Sequence, residues 1–343
     1  MYKVKITTAK NSNYLLRQTE NEAGISRCGK YQFFIDDEVK DPDFFFFLNK
    51  YVKTTTTYEI APQNTILMTS EPRSVVNFPK KYRIQFGLVC SCQEKITGTN
   101  VIYTPAALSW FVGLRWKNGQ VYYSKTYDDI KHSPLPEKKK LISVITSNKA
   151  FTQGHLDRIN FVKKLKARYG DQIDVFGRGF NDFEDKWEVL APYKYHIALE
   201  NSSSKYYWTE KLSDCYLTGT FPIYFGCQNI QDYFPEQAYQ TIDIYNFEKA
   251  VEVIDNVLAN GTYEKNIDAL KKSRELVLED YNLFNVIARC CDTLNPDLPK
   301  QKYSIKPAVT LLDWHNFYLY IFERNYFAIK KFFKKLLRKA DSL

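Results

Sequence analysis

Residues 200–211 read ENSSSKYYWTEK, a loop holding two carboxylates, an amide, four hydroxyl side chains of serine and threonine, two lysines and three aromatic rings. It follows the apolar run YHIALE (195–200) and leads into an amphipathic stretch over 208–218. A buried strand has no need of so many polar groups immediately at its carboxyl end, whereas a ligand does. At a helix start, Glu210 supplies a carboxylate able to accept hydrogen bonds from ribose or sugar hydroxyls. Beside it Lys211 supplies an ammonium able to meet a phosphate, and the free backbone N–H groups of the first turn add anion affinity. A purely local reading also stands: Thr209 caps the helix, Glu210 complements its dipole, and the serine run is a solvated turn.

A second place with chemistry to offer is the helix expected over 153–169, GHLDRINFVKKLKARYG in its body, which follows the strand-like KLISVIT (140–146). Arg158 lies near its start, just beyond a strand end, where a diphosphate is commonly held; a surface arginine on an amphipathic helix is the alternative. A third is TILMTSEPRSV (65–75), a strand running into a loop with Glu71 followed by Pro72. Such a glutamate is ordinarily solvated unless a partner site lies opposite.

The run YKYHIALENSSSKYYWTEKLSDCYLTGTFPIYFG (193–226) resembles the signature of glycosyltransferase family 10, the α-1,3/1,4-fucosyltransferases: a strand ending in Glu-Asn, a polar loop, then Tyr-x-Thr-Glu-Lys and a helix. The resemblance extends more loosely over about 64–290. It implies that Asn201, Tyr207, Glu210 and Lys211 contact the donor nucleotide and its sugar, that Arg158 meets the diphosphate, and that Glu71 is the catalytic base. It further implies a GT-B fold, two Rossmann-like domains facing across a cleft, and inverting transfer of fucose from GDP-fucose to a glycan hydroxyl. The expected product is an α-1,3 linkage to N-acetylglucosamine or glucose of a surface polysaccharide. No cofactor is obligatory on this resemblance, and a divalent metal is at most stimulatory. Trp208 departs from the small β-branched residue commoner at that place, Cys227 follows the FPIYFG strand, and neither the paired cysteines nor the membrane anchor of the animal Golgi enzymes is found. The first 60 residues, where acceptors are usually read, match nothing recognisable. Two rivals remain open: a transferase of the same fold using another nucleotide sugar, and a non-catalytic glycan-binding module, which would have no need of diphosphate cations.

These groups must be held by elements. Short β-type runs are expected at 64–70, 82–90 and, less clearly, 120–127. HSPLPEKKK (132–140) combines two prolines with a charge run and reads as a linker. Beyond it strands at 140–146, 174–176, 195–200 and 221–226 alternate with helices near 153–169, 208–218 and 247–259, the rhythm of a parallel sheet covered on both faces. Further helix is expected over 263–293 and a polar connector over 294–310. The expected organisation is an acceptor-binding domain at 1–135, a GDP-fucose-binding domain at 136–310 and a basic amphipathic tail at 311–343.

At 343 residues, with 44% hydrophobic and 16% aromatic content, the chain can bury two substantial cores, which excludes a disordered protein. The net charge of +9 is uneven: residues 323–343 carry seven basic and two acidic side chains, +5 of the total, so a basic nucleic-acid-binding body is not supported. In the tail Ile329, Phe332, Phe333, Leu336 and Leu337 alternate in pairs with basic residues, the pattern of a helix lying on an anionic membrane, where a lipid-linked glycan acceptor would be found. A helix packed on the body or on a second copy is the alternative. Seven cysteines without regular spacing, and no apolar stretch of signal or spanning length, lead us to expect free thiols and a cytoplasmic protein peripheral to the membrane. The histidines at 132, 155, 196 and 315 are too dispersed for a metal site, His196 reading as a core or second-layer group, and no convincing Asp-x-Asp metal motif is present. FGRGF (176–180) lacks a dinucleotide spacing and reads as a tight turn at a pocket rim.

Overall fold

A computed structural model describes residues 1–8, 12–106, 109–148 and 153–311. In the first part, strands β1 (Tyr2–Thr7), β2 (Tyr31–Ile35), β3 (Phe44–Leu48), β4 (Thr56–Ile60), β5 (Thr65–Thr69), β6 (Leu88–Ser91) and β7 (Val101–Tyr103) appear in order. All except β4 form one parallel sheet, arranged β2-β1-β3-β5-β6-β7. The central strand β3 reads FFFFL and buries every residue, because a parallel strand is covered on both faces and has no solvent side to reserve for polar groups. A hairpin follows, β8 (Leu114–Lys117) and β9 (Gln120–Tyr123), turning on Asn118-Gly119, both with positive φ.

The second part contributes β10 (Lys140–Ile145), β11 (Ile173–Phe176), β12 (Tyr193–Leu199), β13 (Phe221–Phe225) and β14 (Gln240–Thr241), again parallel, in the order β11-β10-β12-β13-β14. Helices Gln153–Tyr169, Glu210–Leu217 and Phe247–Ala259 cover it, close to the expected bounds. Phe161, Val162 and Leu165 of the first and Ile254 and Val257 of the last enter one apolar core with the strands. Each half is therefore a Rossmann-like α/β layer. The carboxyl edges of the two sheets face one another: Tyr103, at the end of β7, stacks on Tyr206 with ring centroids 4.9 Å apart.

Several expectations are corrected. The strand expected at 82–90 is confined to Leu88–Ser91, and Lys80–Arg83 form one helical turn instead. The first 60 residues, unreadable by resemblance, supply three strands of the first sheet and β4. The segment 263–293 divides into helices Thr262–Lys265, Ile267–Glu279 and Leu283–Asp292. The connector at 294–310 contains β15 (Gln301–Ile305), antiparallel to β4. As an edge strand with mostly exposed side chains, β15 shows no apolar run to betray it. Helix Leu283–Asp292 packs on the first sheet, and Ile305 and Ala308 join that sheet's opposite core. Residues 283–310, expected with the second domain, thus return to the first.

The linker at 132–140 is docked. Lys138 Nζ donates to the carbonyls of Ala191 and Thr218 and to Thr220 Oγ1 at 2.8, 2.7 and 3.0 Å. All seven cysteines are free thiols. Among the described residues no helix is long and apolar enough to cross a membrane. The amphipathic tail lies, from residue 312 onward, outside the described residues.

Candidate active site

In each sheet the chain's direction of winding reverses, between β1 and β3 in the first and between β10 and β12 in the second. Ligands bind beyond the carboxyl ends of strands at such reversals. At the second one β12 ends in Glu200, whose N–H bonds Phe225 of β13 at 2.9 Å. The Glu200 side chain is fully buried and accepts from Thr209 N at 2.7 Å and Thr209 Oγ1 at 2.8 Å. It reaches this place because Gly226 stands opposite; a Cβ there would lie 2.4 Å from Glu200 Cγ. Thr209 in turn accepts from Lys211 N at 3.3 Å, so it does cap the helix. The local and the functional readings of this loop are one construction: the cap that starts the helix also fixes Glu200, Glu210 and Lys211 side by side.

Beyond the β10–β12 reversal lies a cavity of about 430 Å³ with Thr146, Arg158, Arg178, Asn201, Glu210 and Lys211 among its walls. Arg158 is buried, its Nη1 donating to the Leu199 carbonyl at 3.1 Å while its Nε has no partner. Asn201 Oδ1 is likewise buried and unpartnered. Such groups cost free energy unless something satisfies them, and two residues carrying them in the walls of one cavity point to a polar ligand there. The backbone comes close here as well: a Cβ on Gly154, in the first turn of the helix bearing Arg158, would sit 2.1 Å from the Asn201 carbonyl oxygen. At the rim, Gly177 and Gly179 adopt φ of 115° and 86°, the tight turn expected of FGRGF.

Lys211 Nζ lies 3.2 Å from Glu210 Oε1 and 3.3 Å from Glu200 Oε2. Burial alone would lower its pKa, but these two carboxylates outweigh burial and hold it above the ordinary value. Burial would raise Glu210, yet Lys211 and Lys186 pull it down to about 2. Glu200 goes the other way, raised by desolvation. Lys186, which the sequence did not single out, bonds Asp214 at 3.0 Å, approaches Glu210 at 3.9 Å and lies over the Phe111 ring at 5.2 Å. Asp214, also missed, is fully buried and accepts from Phe111 N at 3.1 Å. Its spacing of four from Glu210 puts both on one helix face and was a usable signal. Nothing in the spacing pointed to Lys186.

Glu71, just beyond β5, is half-buried and belongs to the other domain. Its pKa is raised, first by desolvation and then by Glu210 and Glu200, with Lys211 opposing. The base candidate thus feels the charges of the donor loop. Tyr207 is placed differently from the other expected donor residues: it is buried against Cys92 and Ala106 of the first domain, away from the walls of the cavity. His196, expected in the core, is buried and bonds Ser143 Oγ at 2.8 Å through Nδ1. Burial and the nearby Lys186 push its pKa down to about 3, so it is neutral, and it edges the cavity. Among the described residues no group of three or more His, Cys, Asp or Glu side chains is placed to hold a metal.

Two parallel Rossmann-like α/β sheets facing across a cleft, with cations gathered at the winding reversal of the second, make up the arrangement called GT-B. Residues 135–304, just under half of the chain, match the family described as glycosyltransferase family 10 (fucosyltransferase) C-term. An α-(1,3)-fucosyltransferase FucT of Helicobacter pylori is 35% identical over 99 residues, 27% of this chain and 20% of that protein. The 4-galactosyl-N-acetylglucosaminide 3-α-L-fucosyltransferase 9 of Homo sapiens is 26% identical over 117 residues, 33% of this chain and 31% of that protein. The matched stretches therefore span about a fifth and about a third of those relatives. A solved α1,3-fucosyltransferase with GDP-fucose overlaps 94% of this chain and 91% of its own at 16% identity and a TM-score of 0.48.

Proposed function

We propose that the chain transfers fucose from GDP-fucose to a hydroxyl of an acceptor glycan with inversion at the anomeric carbon. The observation that carries this is the cavity itself, whose walls include Lys211 together with Arg158 and Asn201, each with a buried, unpartnered polar atom, while Glu71 of the other domain, outside those walls, feels the charges of Glu210, Lys211 and Glu200. In this reading Arg158 and Lys211 hold the diphosphate and stabilise the negative charge that grows on it as the glycosidic bond breaks. Glu210 accepts from ribose hydroxyls, and Asn201 contacts the sugar. Tyr207 acts by fixing the donor loop against the first domain. Glu71 takes the proton of the acceptor hydroxyl as that oxygen attacks the anomeric carbon, while GDP leaves from the opposite face. The activities for which these relatives are named support α-1,3 transfer to N-acetylglucosamine. A lipid-linked surface polysaccharide as acceptor, and a place on the cytoplasmic face of a membrane, rest on the basic tail.

Thermal shift against GDP, UDP and CDP, followed by turnover of Glu71→Gln, tests the reading. GDP should stabilise most. Glu71→Gln keeps shape and hydrogen-bonding reach but cannot accept the proton, so donor binding should survive while kcat falls on the order of 10²- to 10⁴-fold. Preferential stabilisation by UDP would replace the donor, and full turnover by a folded Glu71→Gln protein would remove Glu71 from the role of base.

A further inference from the structure

The base and the donor loop belong to different domains, and what joins them is a short segment just beyond β6. Gln93 is buried, and its amide donates twice: Nε2 to the Glu71 carbonyl at 2.8 Å and to the Val76 carbonyl at 2.7 Å. One side chain thus ties both ends of the loop that carries the candidate base. Its own backbone N–H is fixed by Ser91 Oγ at 2.9 Å. The next residue, Glu94, reaches the other way, its Oε1 accepting from Lys205 N of the donor loop at 2.8 Å. Cys92, the residue before, packs on Tyr207 of the same loop. The donor loop is itself bent toward this contact: Tyr206 sits at a φ of 63°, its N–H held by Asn229 Oδ1 at 2.8 Å and its ring stacked on Tyr103. A non-glycine residue in that conformation costs energy and is kept only where its surroundings demand it.

We infer that Gln93 and Glu94 are positioning residues that set the Glu71 carboxylate against the donor loop, Gln93 by holding the base's backbone and Glu94 by holding the loop's. The inference rests on the reading of Glu71 as base. The two hydrogen-bonding grips are adjacent in sequence, so a displacement of the donor loop is transmitted to the base through a single peptide unit. An error of about 1 Å in the reacting geometry is enough to cost on the order of 10²-fold in rate.

The test is a cycle of substitutions read as kcat and GDP affinity. Gln93→Met removes both donors at nearly constant volume; kcat should fall about 10- to 100-fold with GDP affinity unchanged. In the Glu71→Gln background the same change should alter kcat by less than about 2-fold, because there is no longer a base to misplace. Glu94→Ala, at a half-exposed position that leaves the core intact, should lower kcat, whereas Glu94→Gln retains the accepting oxygen and should restore it. Unchanged kcat in Gln93→Met, or an equal loss in both backgrounds, would overturn the inference; should Gln93→Met fail to fold, unchanged kcat in Glu94→Ala would do the same. A silent Glu71→Gln would instead sink the base assignment, and with it a collapse in Glu94→Gln would identify Glu94 as the base.

Discussion

Replacing Lys211 by Met separates what this side chain does for the ligand from what it does for the fold. Toward the ligand it loses one charge-assisted hydrogen bond to a diphosphate, about 1.5 to 3 kcal/mol, which is roughly a 10- to 150-fold weakening of GDP. Guanosine, which brings no phosphate, should lose much less. Toward the fold the change strips Glu200 and Glu210 of an ammonium at 3.3 and 3.2 Å. Breaking a buried pair ordinarily costs about 3 to 5 kcal/mol, because the partner charge is left in a poor solvent. Glu200 has an escape. Burial has already raised its pKa, Lys211 being the cation that opposes the rise, and without Lys211 it climbs further and the carboxyl takes up a proton. A group whose folded pKa lies above its unfolded value contributes stability at low pH that is lost as pH rises through the folded value. The gap in melting temperature between Lys211→Met and the parent should therefore be small near pH 5 and wider near pH 8. Calorimetric titration with GDP and guanosine, with thermal denaturation at both pH values, measures the two parts. Equal losses for guanosine and GDP would show that Lys211 is structural and does not meet the diphosphate.

The same electrostatics predicts where activity fails in acid. Glu71 must be ionised to act, and since burial, Glu210 and Glu200 raise its pKa against Lys211, the acid limb of kcat/KM should lie above the ordinary carboxylate range. Bound diphosphate offsets Lys211, so the limb in kcat should lie higher still, and two limbs coinciding between about pH 4 and 5 would contradict the placement. Removing the residues after Glu323 should weaken retention on anionic liposomes, because residues 324–343 hold seven basic side chains against Asp341 alone. Co-sedimentation measures this, and equal retention of both forms would leave the tail without a membrane role.

The second domain was open to sequence reading because its strands are apolar runs cut off by amphipathic helices, each long enough for its period to show: helix 247–259 came out with the expected bounds. Of the first sheet only β5 and the end of the run at 82–90 were. β1 alternates lysines with apolar residues, β7 has three residues, the sheet is covered by a helix arriving from beyond residue 280, and β4 pairs with β15 from the same stretch, contacts no local pattern can announce. The site divides in the same way. Asn201, Glu210 and Lys211 lie in one loop and the helix turn it opens, so their spacing carries them, while Lys186 joins them from the start of the helix Lys186–Leu190 through tertiary packing alone. Tyr207 shows the limit from the other side, since its spacing in the motif does not reveal that its ring turns to the first domain.

The burial of three carboxylates in a site meant for an anion needs a physical reason. Glu200, Glu210 and Asp214 stand against Arg158, Lys186 and Lys211, and Asp182 and Arg178 also line the cavity, so the site's own formal charges balance, four against four. Cations left without partners in such a place would lower their own pKa or draw in water and stray anions. Held instead by carboxylates that are themselves fixed, Glu200 by Thr209 and Asp214 by the Phe111 N–H, the ammonium groups are charged and oriented before the donor arrives. A diphosphate then competes for fixed cations and need not reorganise them, which is the condition under which electrostatic stabilisation of a departing anion is most effective. Two of these carboxylates, Glu200 and Glu210, also raise the pKa of Glu71 from across the cleft. The charges that keep the donor cations in place therefore also keep the acceptor's base basic, and neither half of the site can be retuned without the other.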